Sequence, residues 1–99
     1  MTVKSPFMPS YGKGVTVTAS SSSAFANLGN GSKTLCLTNT GSDIVYVRCS
    51  ASASDAASSS DYIIPTSAQV TIGKDQDQNY LYYISPTSTT LNIIPGEGF

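Results

Sequence analysis

Residues Thr34–Cys49 read TLCLTNTGSDIVYVRC. Two alternating runs, Leu35/Leu37 and Val45/Val47, flank the turn-forming stretch Asn39-Thr40-Gly41-Ser42-Asp43, and the pattern predicts a β-hairpin. Setting Asn39 opposite Val45 places Leu37 opposite Val47 and Leu35 opposite Cys49, a mostly apolar face. A slip of one residue would set Leu35 against Arg48, so the hydrophobic pattern selects the first register. The second face carries Cys36, Thr38, Ile44, Tyr46 and Arg48. Ile44 and Tyr46 are too large for a fully solvated face, which implies cover by a neighbouring loop or by a partner protein.

The same register separates the two cysteines. Cys36 and Cys49 fall on opposite faces, and a disulfide needs Cβ vectors that point toward each other. Without a CxxC spacing or any histidine, a metal site is not expected either, and both read as reduced, partly buried side chains.

A chain of 99 residues forms one domain with a small core. Charged residues make up only 11% of it, with a net charge of −1, and the five basic residues are scattered singly. That argues against nucleic acid, whose binding depends on clustered Lys and Arg. Serine and threonine supply more than a quarter of the chain, giving an uncharged polar surface suited to a subunit docked in an assembly. Met1–Tyr11 lacks the apolar core of a secretory signal, and no run reaches membrane-spanning length, so cytosolic synthesis and no membrane partner are expected.

Residues Met1–Gly14 contain Pro6, Pro9, Gly12 and Gly14 around Phe7, Met8 and Tyr11. Prolines remove ladder donors, so residues 1–14 are expected to form an extended arm, laid over its own domain or a neighbour's. Residues 15–99 form the domain. Short strands are predicted at Val15–Thr18, around Phe25–Leu28, in the two runs of the hairpin, and at Tyr62–Ile64, Gln69–Ile72, Tyr80–Ile84 and Leu91–Ile94. Pro65 ends one of them. Ser50–Ser60 (SASASDAASSS) reads as a surface loop. Seven or eight short strands at ten-residue spacing, with no convincing helix, predict an all-β domain: a small β-sandwich or jelly-roll-like barrel of antiparallel strands.

Site chemistry is sparse. The chain has no GxSxG stretch and no histidine to activate Cys36, Cys49 or a serine. Asp75 and Asp77 in KDQDQN lack the spacing and trailing glutamate of a calcium loop and read as a solvated turn. The expectation is a protein that is not an enzyme and carries no cofactor and no metal. Tyr80 and Tyr82 share one strand face while Leu81 and Tyr83 share the core face. With Tyr46, they are the candidates for a protein or glycan contact.

With the strands placed, the chain resembles the small all-β structural proteins of tailed-phage virions. The resemblance rests on Leu37-Thr38-Asn39-Thr40-Gly41-Ser42 and Ile44–Arg48, then Ile63-Ile64-Pro65, and on the closing Leu91–Phe99, LNIIPGEGF. It covers residues 15–99. It implies a capsid decoration (cement) protein on the outer surface of the virion, docked on the major capsid protein as a homo-oligomer, trimer or dimer. Candidate anchors are Phe7, Met8 and Tyr11 in the arm and Ile94 and Phe99 in the tail. A tail, neck or fibre-base station, or a carbohydrate-binding module using Tyr46, Tyr80 or Tyr82, are the alternatives.

Overall fold

The computed structural model describes residues 8–28, 33–75 and 77–97. These contain nine strands and no helix. In chain order they are β1 (Met8–Pro9), β2 (Val15–Ser20), β3 (Ala24–Asn27), β4 (Thr34–Asn39) and β5 (Val45–Ser50). Then come β6 (Tyr62–Ile64), β7 (Gln69–Gly73), β8 (Tyr80–Ile84) and β9 (Ser88–Glu97).

They form two antiparallel sheets. In the first, β1 and β2 lie end to end along one edge of β9, whose other edge pairs with β4, and β4 pairs with β7. The second runs β3-β8-β5-β6. The long strands pair in a nested order: β2 with β9, β3 with β8, β4 with β7, β5 with β6.

The two-residue alternation of apolar side chains sends one face of each sheet into a shared core. Leu35, Leu37, Leu91, Ile93 and Ala19 enter from the first sheet, and Val45, Val47, Ile64, Leu81 and Tyr83 from the second. Val70 and Ile72 pack at its margin from the same face of β7, as their spacing predicts.

The predicted hairpin does not form. β4 and β5 belong to different sheets, and the chain between them is an arch that crosses the sandwich. Both edges of β4 are occupied, by β9 and β7, and both edges of β5 by β6 and β8. Leu35 and Leu37 therefore meet Val45 and Val47 across the core instead of along a ladder. Alternation specifies which face is buried, and that is the same in an arch as in a hairpin.

Asn39 makes the arch. It lies at the end of β4, fully buried, and its side chain uses all four bonding positions. Nδ2 donates to the carbonyls of Asp43 (2.8 Å) and Ile64 (3.2 Å). Oδ1 accepts from the Gly41 amide (3.1 Å) and from Thr89 Oγ1 (2.7 Å). Its main-chain amide donates to the Ala68 carbonyl at 2.9 Å. One side chain thus ties β4 and β9 of the first sheet to β6 of the second. Gly41 presses against β9: a Cβ there would meet Thr89 Cα at 2.8 Å and collide with Thr89 Oγ1 and the Thr90 amide.

Boundaries also differ from expectation: β2 runs on to Ser20 and β9 begins at Ser88, where Thr18 and Leu91 were expected. β9 continues through Pro95 and Gly96, beyond the predicted end at Ile94. The Pro95 carbonyl accepts from the Ser10 amide (2.8 Å), so the Pro95 nitrogen points to the same edge, where the ladder passes from β2 to β1. No ladder donor is required there. The residues expected as an irregular arm include β1, in which Met8 pairs with Glu97 and Pro9 with Gly96. Pro9 is tolerated because β1 is an edge strand. The described part of residues 1–14 thus lies on its own domain, and the remainder, with Phe7, lies outside the described residues.

Replacing Asn39 with Ala strands two carbonyls, an amide and a hydroxyl in a buried site. We expect a loss of about 3 kcal/mol or more in urea unfolding. Gly41→Ala should also be clearly destabilising, because two of the obstructing atoms, the Thr90 nitrogen and Thr89 Cα, are backbone and cannot swing away. Wild-type stability in both variants would contradict the arch geometry.

Candidate docking surfaces

The outer face of the second sheet collects Phe25, Tyr46, Tyr80 and Tyr82. Its strand register sets side chains in rows: Ile63, Tyr46 and Ile84 in one, Arg48, Tyr82 and Phe25 in the next, then Ser50, Tyr80 and Asn27. Phe25 packs edge-on against Tyr80 (ring centroids 5.4 Å) and tilted against Tyr82 (5.3 Å).

The serine-rich segment 51–61 folds over the middle row. Arg48 Nη1 contacts Asp55 Oδ1 at 2.9 Å, and Arg48 Nε donates to Asp61 Oδ1 at 3.0 Å. The Tyr82 hydroxyl donates to the Ser52 carbonyl (2.7 Å) and accepts from the Asp55 amide (3.1 Å). The Ala57 amide donates to Ser23 Oγ at 2.8 Å, which pins the far end of the segment beside β3. The cover expected over this face is thus supplied in part by the chain's own loop, over Arg48 and Tyr82. Its serines suit the task, since their hydroxyls satisfy local amides: Ser50 Oγ and Ser52 Oγ accept from the Ser52 and Ser54 amides.

Where this cover ends, a groove of about 530 Å³ opens. Tyr46, Ile84 and Pro86 give it apolar surface, and Ser21, Ala57, Ser58, Ser59 and Ser85 complete the lining. Ser85 is 1% exposed and its Oγ has no hydrogen-bond partner.

The candidate contact residues fall on different surfaces. Tyr46, Tyr80 and Tyr82 share the second sheet's outer face, but Tyr82 is 2% exposed with its hydroxyl engaged, which removes it from any open stacking platform. Tyr11 lies in the turn between β1 and β2 and is 85% exposed. Ile94, partly buried, sits on the opposite side of the sandwich, in register with Cys36 and within reach of Gly14. Met8 is placed by its β1 pairing alone, and Phe7 and Phe99 lie outside the described residues. Exposed Phe25, Tyr62 and Ile63 were not singled out from sequence. Their signal was present: each lies in a short strand, and an edge strand leaves apolar side chains uncovered.

Both cysteines are free. Cys49 faces the core, where burial pushes its thiol pKa up and the nearby Lys74 charge offsets part of that. No group of three or more His, Cys, Asp or Glu side chains is arranged to hold a metal among the described residues. No protein-family model matches the chain, and no characterised protein matches it in sequence.

The Arg48 clamp has a testable acid limit. Hydrogen bonds from the Ala56 amide and the Ser50 side chain, then the Arg48 contact, hold the Asp55 carboxyl below its ordinary range. A depressed folded-state pKa contributes stability above the unfolded value of about 3.9, and that contribution is lost as pH falls through the folded value. Limited proteolysis within residues 51–60 should therefore be slow and flat from about pH 5 to 8 and rise below about pH 4. Arg48→Ala should make it fast at neutral pH with the domain still folded. Equal protection in that variant would show that the clamp does not hold the loop.

Proposed function

We propose that this chain is a capsid decoration (cement) protein of a tailed phage. It docks on the outer surface of the major capsid protein shell as a homo-oligomer, a trimer or a dimer. The observation that carries the reading is the nested pairing of β2 with β9, β3 with β8, β4 with β7 and β5 with β6. Nesting of this kind supports reading the sandwich as a jelly roll, an architecture used by viral capsid and lectin domains. Fold alone hosts many activities, so the assignment draws also on the residues that resemble phage virion proteins and on the sparse surface charge.

The role asks for an interface, and a specific one buries on the order of 1,000 Å² or more. The end of the sandwich bearing β1 is the proposed contact. There, Tyr11 stands clear of the domain, and the sequence ahead of β1 carries Pro6 and Phe7. Tyrosine at such a position contributes large contact area with few rotors to immobilise.

Sedimentation of the protein with shells that lack it tests this directly. Saturable binding at a fixed copy number per capsomer is expected. Deleting residues 1–10 removes β1 and the Ser10–Pro95 hydrogen bond, at a cost of about 1–2 kcal/mol that leaves the domain folded. It should weaken shell binding at least tenfold. A folded protein that ignores shells but cosediments with tails or necks would move it to that station. Full-strength binding by the truncated chain would remove the arm from the interface.

A further inference from the structure

We propose that the groove on the second sheet's outer face binds a neutral carbohydrate, with Tyr46 as its apolar platform and serine hydroxyls at its rim. The groove's volume, about 530 Å³, lies inside the range of roughly 300–1,000 Å³ typical of small-ligand sites.

Its chemistry narrows the ligand. Among the described residues, the lining carries no charged side chain, so neither an anion nor a cation finds a counter-charge there. A wholly apolar ligand would cover serine hydroxyls without pairing them, which costs free energy for each group left unmet. A sugar ring matches both halves of the lining. Its C–H face suits Tyr46, Ile84 and Pro86, and its hydroxyls, each donor and acceptor, suit Ser21, Ser58 and Ser59.

A second observation points the same way. Ser85, one of the lining residues, has a buried Oγ without a hydrogen-bond partner, the sole such buried side-chain nitrogen or oxygen among the described residues. Buried hydroxyls are paired in the great majority of cases, and an exception calls for an outside partner such as a ligand hydroxyl. The sheet is paired on both edges of β5 at this point. Tyr46 is in register with Ile84 on one side and Ile63 on the other, so its ring is held between aliphatic neighbours. The far wall, Ala57–Ser59, is fixed by the Ala57–Ser23 hydrogen bond and by the Ser58 amide, which donates to Asp61 Oδ2 at 2.8 Å. The site is thus built before a ligand arrives, which keeps ordering costs low.

The inference is independent of the shell-binding reading, because the groove opens at Pro86, where the chain enters β9, and the proposed shell contact is at Glu97, where β9 ends. The test is a titration of the full-length, nitrogen-15-labelled chain with glucose, galactose and N-acetylglucosamine, followed by amide chemical shifts. At least one should give saturable shifts confined to Ser21, Ala57–Ser59 and Ile84–Ser85. Tyr46→Ala should weaken that sugar roughly tenfold or more, and Tyr46→Phe should keep it. Ser59→Trp, a change at an exposed loop position, should fill the groove and abolish binding with an unchanged melting temperature. Absence of saturable shifts with any of the three sugars, or full affinity in Ser59→Trp, would overturn the proposal. Selective binding of sialic acid or of a proline-rich peptide in their place would also overturn it. None of these variants should alter shell binding, so failure here leaves the decoration reading standing and the reverse also holds.

Discussion

One buried amide holds the two sheets in their relative positions. Asn39 lies where an apolar residue would be the simple choice, and it is tolerated because every donor and acceptor it carries is matched. A network of this kind is costly when incomplete and directional when complete. Leu37 one turn of the pleat away could slide within the core, whereas the Asn39 amide fits only where Asp43, Ile64, Gly41 and Thr89 converge. It fixes the point at which the chain leaves the first sheet, and so it decides that β5 joins the second. Gly41 adds a steric condition, since the arch passes too close to Thr89 for any side chain.

The remaining topology follows from that crossing. Once β4 and β5 belong to different sheets, each later strand returns beside an earlier one: β6 beside β5, β7 beside β4, β8 beside β3, β9 beside β2. The serine-rich segment sits at the turning point of this winding, between β5 and β6, and folds back onto the sheet it has just left. It covers Tyr82 and stops short of Tyr46, and that incomplete cover leaves the groove. A structural feature of the winding thereby sets the position of the groove. The proposed shell contact is set at the other end, where β9 runs on past Pro95 to receive β1.

Much of this was legible in the sequence because burial is written in alternation. Leu35, Leu37, Val45, Val47, Leu81 and Tyr83 are inside, and Tyr46 and Tyr80 outside, as the two-residue period requires. Strand pairing was not legible, because an arch and a hairpin bury the same side chains. The distinguishing signal was Asn39 itself, a polar residue in phase with the inward leucines. The five-residue link also lacked the Asn-Gly or Asp-Gly pair that enforces a tight hairpin. Pro95 misled in the opposite direction. Proline usually ends a strand, yet here its missing donor faces the junction between β1 and β2. The groove was beyond sequence reasoning, since Tyr46, Ser58 and Ile84 come together only through the fold and none carries a motif. The aromatic strand Tyr80–Ile84 drew attention to the right sheet, but Tyr82 lies under the loop.

The assignment of β4 and β5 to opposite sheets is the claim on which the rest stands, and backbone proton contacts measured by NMR test it most directly. The structure predicts inter-strand contacts from Leu37 to Ile93 and Val70, and from Val47 to Tyr62 and Tyr83, with none between the Leu37 and Val47 backbones. A backbone contact joining Leu37 to Val47 would restore the hairpin, and with it would fall the arch, the nested winding and the groove that depends on them.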